Sequence, residues 1–161
     1  MTNKLILAAL LVPALAAADT KDYDNFVGSW KGAGKMTMGK DVAKVDLKIE
    51  CKRTAADAAV ACTMHAGNVP GLGNYEESDL FGFEPNTSTY HWYAVTNAGE
   101  VHDHTTKSLG AKSQWVFEGT QEGKPLKETI DMSFSKDTMS FKSVVTVGGT
   151  QVAMLEGEVK K

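Results

Sequence analysis

Apolar and polar residues alternate along most of this chain. Val45-Asp46-Leu47-Lys48-Ile49-Glu50-Cys51 puts an apolar side chain at every second position, the two-residue repeat of a strand with one buried face. The same repeat returns in 126–134 and in 139–147. Turn signals break the runs at Gly39-Lys40-Asp41, Pro85-Asn86, Asn97-Ala98-Gly99, Leu109-Gly110, Glu122-Gly123-Lys124-Pro125, Lys136-Asp137 and Gly148-Gly149. Between them lie about ten strands, most joined by short hairpins. The one helix candidate, Thr54 to Ala59, is too short to persist without tertiary support. The longest connection, Ala66 to Asn74, reads as a loop or a lid. Sequential antiparallel strands with few long crossovers predict an all-β fold, a single up-and-down antiparallel barrel, since closure removes exposed edges. The barrel domain is expected over residues 26–161, behind a polar N-terminal arm at 19–25.

The first residues follow a different pattern. Lys4 precedes the apolar run Leu5 to Leu15, and Ala16-Ala17-Ala18 supplies small residues for cleavage before Asp19. Residues 1–18 therefore read as a cleaved signal peptide and predict a periplasmic or secreted protein. The run is about half the ~20 residues needed to span a bilayer, and no later run is long enough. Cleavage leaves 143 residues (161 − 18), with 16 basic side chains (17 less Lys4) against 20 acidic, a net of −4. These charges are interspersed, which excludes the concentrated basic surface that nucleic acid requires. Nothing in the pattern separates a monomer from a homodimer.

Cys51 and Cys62 end two strand-like runs, 45–51 and 60–64. If the runs pair about a centre between Ala56 and Asp57, the two cysteines fall opposite each other. A cross-strand disulfide suits an exported chain and would add ~2–4 kcal/mol.

Phe26-Val27-Gly28-Ser29-Trp30-Lys31-Gly32 opens the first strand with a Gly-x-Trp and a further Gly. This resembles the start of lipocalin-like barrels and of nitrobindins, where the Trp packs across the closed end. Gly82 and Phe83 followed by Asn86 and Tyr90, then Gly99 and the final strand pair, extend the likeness over 26–159. Together they resemble a family of small secreted bacterial proteins classed as a domain of unknown function. The resemblance implies a lipocalin-like (calycin-like) barrel and export; it brings no agreed activity. Nitrobindins hold haem with a histidine late in the chain. Here no residue after His104 is histidine, so haem is not expected.

The residues able to carry chemistry gather in one hairpin. Three of the four histidines, His91, His102 and His104, flank the turn Asn97-Ala98-Gly99 beside Trp92 and Tyr93. A three-residue turn there sets Trp92 opposite His104 and Ala94 opposite His102. A four-residue turn around Pro85-Asn86 would set Asp79 opposite Trp92 and Glu77 opposite Ala94. One face would then carry Tyr75, Glu77, Asp79, Phe81, Tyr90, Trp92, His102 and His104. Such a cluster suits hydrogen bonding to a ligand's polar end, acid–base chemistry, or a zinc or copper ion on His102 and His104. Alternatively, Trp115 and Phe117 would share the face of Val101 and Asp103, leaving both histidines in solvent.

Ten strands enclose more room than side chains alone fill. The expected function is thus binding of a small, largely apolar or amphiphilic molecule inside the barrel. Trp30, Tyr75, Glu77, Asp79, Phe81, Trp92, His102, His104 and Trp115 are the expected ligand-binding residues. The alternative is a metal-binding or acid–base enzyme using Glu77, Asp79, His102 and His104. No nucleophile elbow, His-Glu-x-x-His, phosphate loop or dinucleotide fingerprint is present, which weighs against catalysis.

Overall fold

The computed structural model describes residues 20–161, so the expected signal peptide lies outside the described residues. A short 3-10 turn, Thr20–Tyr23, leads into ten strands. These are β1 (Gly28–Met38), β2 (Asp41–Thr54), β3 (Ala59–Val69), β4 (Gly73–Glu84), β5 (Thr89–Thr96), β6 (Val101–Thr106), β7 (Lys112–Gln121), β8 (Lys124–Ser135), β9 (Thr138–Val147) and β10 (Thr150–Lys160). Each pairs antiparallel with its neighbours in the chain, and β1 pairs with β10 to close the barrel. The all-β, up-and-down barrel read from the alternation is the observed fold.

Closure depends on a close backbone approach at the β1–β10 seam. A Cβ on Gly32 would come 2.1 Å from the Glu158 carbonyl oxygen and 2.8 Å from the Val159 Cα. Only glycine fits between those backbones.

Two local expectations give way to hairpins. Thr54 to Ala59 is no helix: Ala55, Ala56 and Asp57 all have φ between 50° and 69°, a turn that pairs Thr54 with Ala59. The strands on either side bury Cys51, Val60 and Cys62 in the core, and that burial sets the turn rather than helix propensity. The long connection after Ala66 also shrinks. β3 continues to Val69, which pairs with Gly73 after a bulge, and Asn68 (φ 65°) re-aims the strand.

The inward face of each strand builds the core. At one end Tyr23, Phe26, Trp30 and Trp115 are all but fully buried. The Phe26 ring lies 4.7 Å from Phe81 and 4.8 Å from Phe134, centroid to centroid. Trp30 Nε1 donates to the Phe26 carbonyl at 2.8 Å, and Lys161 Nζ sits 4.5 Å above its ring. Tyr23 and Phe26, which precede β1, thus pack into the barrel's end as part of the plug. Cys51 lies opposite Cys62 on paired strands, and their sulfurs are bonded.

Candidate functional site

Above the plug, the interior is not filled. A cavity of about 250 Å³ is lined by apolar side chains from many strands, among them Met36, Val45, Ile49, Met64, Phe81, Ile130, Phe141 and Leu155. Its polar groups come from β4, β6, β8 and β9, from Trp92 on β5 and from Glu100 in the β5–β6 turn. They occupy inward positions because they take the place of apolar residues in the strand repeat. Tyr75, Glu77, Asp79 and Phe81 alternate along β4, and Leu126, Glu128, Ile130 and Met132 alternate along β8.

Carboxyl groups inside an apolar barrel are costly unless paired or protonated. The structure answers in two ways. On β4, the Tyr75 hydroxyl donates to Glu77 Oε2 at 2.5 Å, and Trp92 Nε1 donates to Asp79 Oδ1 at 2.7 Å. Burial, together with the charge of Glu77 and a hydrogen bond to it, pushes Asp79 up to about 9, against the weaker pull of Trp92. Asp79 is therefore a neutral acid at pH 7, donating to Glu77 while accepting from the indole. Burial and the neighbouring Glu77 likewise push the Tyr75 phenol upward.

The second answer is an ion-paired group. His104 Nε2 lies 3.0 Å from Glu128 Oε2, His102 Nδ1 lies 3.6 Å from the same oxygen, and the Ser143 hydroxyl donates to Glu128 Oε1 at 2.6 Å. Burial raises the Glu128 pKa, but hydrogen bonds from His102, His104 and Ser143, with the charge of His104, outweigh it and hold it at about 2. The hydrogen bond to Glu128 in turn raises His102. Phe117 makes room for this contact. Its ring stacks on His102 at 4.3 Å and lies over Gly119, where a Cβ would come 3.0 Å from its Cζ.

The pairing Thr105↔Val116 puts Phe117 and Trp115 on the same face as His102 and His104, and that face is the interior. Tyr75, Glu77, Asp79, Phe81, Trp92, His102 and His104 all line the cavity. Trp30 and Trp115 do not. Both belong to the filled end, where Trp115 packs edge-on against Phe81 (5.7 Å) and Trp92 (5.8 Å). A tapering barrel needs bulk there.

The β4–β5 register also differs from expectation. Trp92 faces Phe81, Ala94 faces Asp79 and Thr96 faces Glu77. The four-residue turn sits one place later, at 85–88, so the strands slide by two residues and keep their faces. As a result His102 and His104 do not share donors with Glu77 and Asp79 as one cluster. The Trp92 ring lies against His104, at 5.0 Å, with its N–H turned to Asp79. The carboxylate that meets both imidazoles is Glu128, from β8. Its sequence signal is one acidic residue in the apolar phase of the 126–134 repeat. Outside the barrel, His91 is held by Asp103 at 2.9 Å and stacks on Tyr93.

No protein-family model matches the sequence, and no curated protein matches it. Among solved structures, the crystal structure of Rv2717c from M. tuberculosis is similar, with a TM-score of 0.64 and 13% identity over 89% of this chain and 98% of that one. At that identity the likeness is one of fold, a closed antiparallel β-barrel. On the late strands, Met139, Phe141, Val145, Met154 and Leu155 face the cavity.

Proposed function

We infer that this barrel binds a small, largely apolar molecule whose polar end is a cation or a hydrogen-bond donor. One observation carries the reading: an apolar cavity whose polar side is concentrated around the carboxyl groups of Glu77, Asp79 and Glu128. Enclosed apolar space with a few convergent polar groups is the usual form of a ligand site. At about 250 Å³ the cavity is just below the ~300–1,000 Å³ common for such sites, which favours a ligand of modest size. Three carboxyl groups, Glu77, Asp79 and Glu128, line the cavity beside two imidazoles, His102 and His104, so acceptor oxygens predominate on its polar side. An anionic head group would meet like charge in a weakly screened interior. Export to an oxidising compartment, periplasmic or extracellular, belongs to the same proposal, and the Cys51–Cys62 bond supports it.

Tryptophan fluorescence tests the proposal, because Trp92 lines the cavity while Trp30 and Trp115 lie in the plug. Octylamine, octanol and octanoate offer one chain with three heads. Octylamine should bind saturably and at least ~10-fold more tightly than octanoate at neutral pH. The signal should vanish in Trp92→Phe. Octanoate binding as tightly as octylamine would overturn the head-group reading, and no saturable binding by any of the three would overturn the cavity's role.

A further inference from the structure

We propose that His102, His104 and Glu128 form a three-ligand site for a zinc-class divalent cation, with its fourth position open to the barrel cavity. Three independent features support it. The first is donor geometry. Four ligands at ~2.0–2.2 Å in tetrahedral array place adjacent donor atoms roughly 3.3–3.6 Å apart. Glu128 Oε2 is already 3.0 Å from His104 Nε2 and 3.6 Å from His102 Nδ1, and a donor atom from each of the three residues lies within 4.8 Å of the others. A metal ion would take the place of the proton that the imidazoles now offer to the carboxylate.

The second feature is access. All three residues line the cavity, so an ion held by them faces enclosed space, not packed side chains. Two imidazoles, one carboxylate and a free position make up the donor set that zinc takes where it keeps a site for an exogenous ligand.

The third is the unpartnered nitrogen of His104. The residue is 2% exposed, yet its Nδ1 has no hydrogen-bond partner. In a purely structural His–Glu contact, an Nδ1 partner commonly fixes which nitrogen carries the proton. Here the proton is held on Nε2 only by Glu128, at 3.0 Å. A metal that takes both Nε2 and Glu128 as ligands would replace that one hydrogen bond, and the proton can move to Nδ1, where no bond to the protein has to be broken. The same gap limits affinity. Metal-bound histidines usually donate their second N–H, and losing that partner costs ~10–100-fold. Micromolar binding is therefore the expectation, well short of the tightest structural zinc sites.

This site does not rest on the head-group preference proposed above, and its test is separate. Metal-free protein with the disulfide intact is titrated with Zn²⁺ by calorimetry, and with Co²⁺ by visible absorption. One equivalent should bind with Kd below ~10 µM, and Co²⁺ should give the intense bands of a low-coordinate site. His102→Gln and Glu128→Gln should each weaken binding by about 100-fold or more, at least the cost of losing an outer partner. His65→Gln, a half-exposed histidine on the opposite side of the β3 wall, should change nothing. If Glu128→Gln fails to fold, His102→Gln decides, because that side chain is only partly buried. Absence of saturable binding in the unsubstituted protein overturns the proposal. So does undiminished binding in His102→Gln, or weakened binding in His65→Gln, since either would place the metal elsewhere.

Discussion

Replacing Asp79 by Asn should stabilise this protein at neutral pH and flatten the pH dependence of its stability. Asp79 keeps its proton in the folded state up to about 9, against an ordinary value of 3.8. The unfolded chain releases that proton above pH ~4, while the folded chain holds it. A folded-state pKa above the unfolded one gives stability that is full below the lower value. That stability then falls as pH rises toward the upper one. From 3.8 to pH 7 is about three pH units, so at about 1.4 kcal/mol per unit Asp79 costs about 4 kcal/mol at pH 7 relative to pH 4. Domains of this size are stable by only ~5–15 kcal/mol, so the effect is large enough to measure. Asn reproduces the neutral acid: its carbonyl can accept from Trp92 Nε1, and its amide can donate to Glu77. Urea unfolding of both proteins at a series of pH values from 4 to 9, metal-free and with the disulfide intact, gives the comparison. The difference in ΔG should be near zero at pH 4 and widen steadily toward pH 8. Titrating groups remote from Asp79 affect both proteins alike and cancel, so the difference reports Asp79 together with its partner Glu77. Parallel curves for the two proteins would refute the buried neutral acid.

Glu77→Gln should move the Asp79 titration to lower pH, because it removes both the charge and the hydrogen-bonded carboxylate that raise it; carbon-13 NMR of the Asp79 carboxyl reads this directly, and an unmoved titration would leave burial as the whole cause. Gly32→Ala should destabilise by about 3 kcal/mol or more, since its Cβ would meet backbone atoms at 2.1 and 2.8 Å that cannot swing aside; an unchanged melting temperature would contradict the tight β1–β10 seam. The double change Cys51→Ala and Cys62→Ala should cost about 3 kcal/mol in urea unfolding, the loop-closure value for a separation of 11 residues. A loss below ~1 kcal/mol would mean that strand pairing alone already restrains that loop in the unfolded chain.

Much of the fold is written locally. The two-residue repeat gives the strands of β2, β8 and β9, because one buried face forces that spacing whatever lies opposite. Turn chemistry sets the β5–β6 hairpin: Gly99 takes φ 82° in the three-residue turn between Thr96 and Glu100, which puts Trp92 beside His104. The cysteine register follows once 45–51 and 60–64 pair about a centre between Ala56 and Asp57, which brings Cys51 to Cys62. Sequential hairpins then leave closure as the way to cover both edges.

What the chain alone could not decide is which residues meet across strands that are not neighbours. A turn displaced by one residue slides β4 against β5 by two, and no nearby residue type distinguishes the two placements. Trp30 and Trp115 read as ligand-lining aromatics, but which end of a cylinder is plugged depends on where the residues before β1 fold, with Tyr23 and Phe26 filling it. Glu128 stands two strands from His104 in the barrel and 24 residues away in the chain. Its meeting with two imidazoles needs the curvature of the closed sheet and the space Phe117 leaves by lying over Gly119. Local pattern determines the walls because each strand's burial is settled by its own alternation. The site is decided only by tertiary structure, because inward side chains converge once the sheet has rolled up.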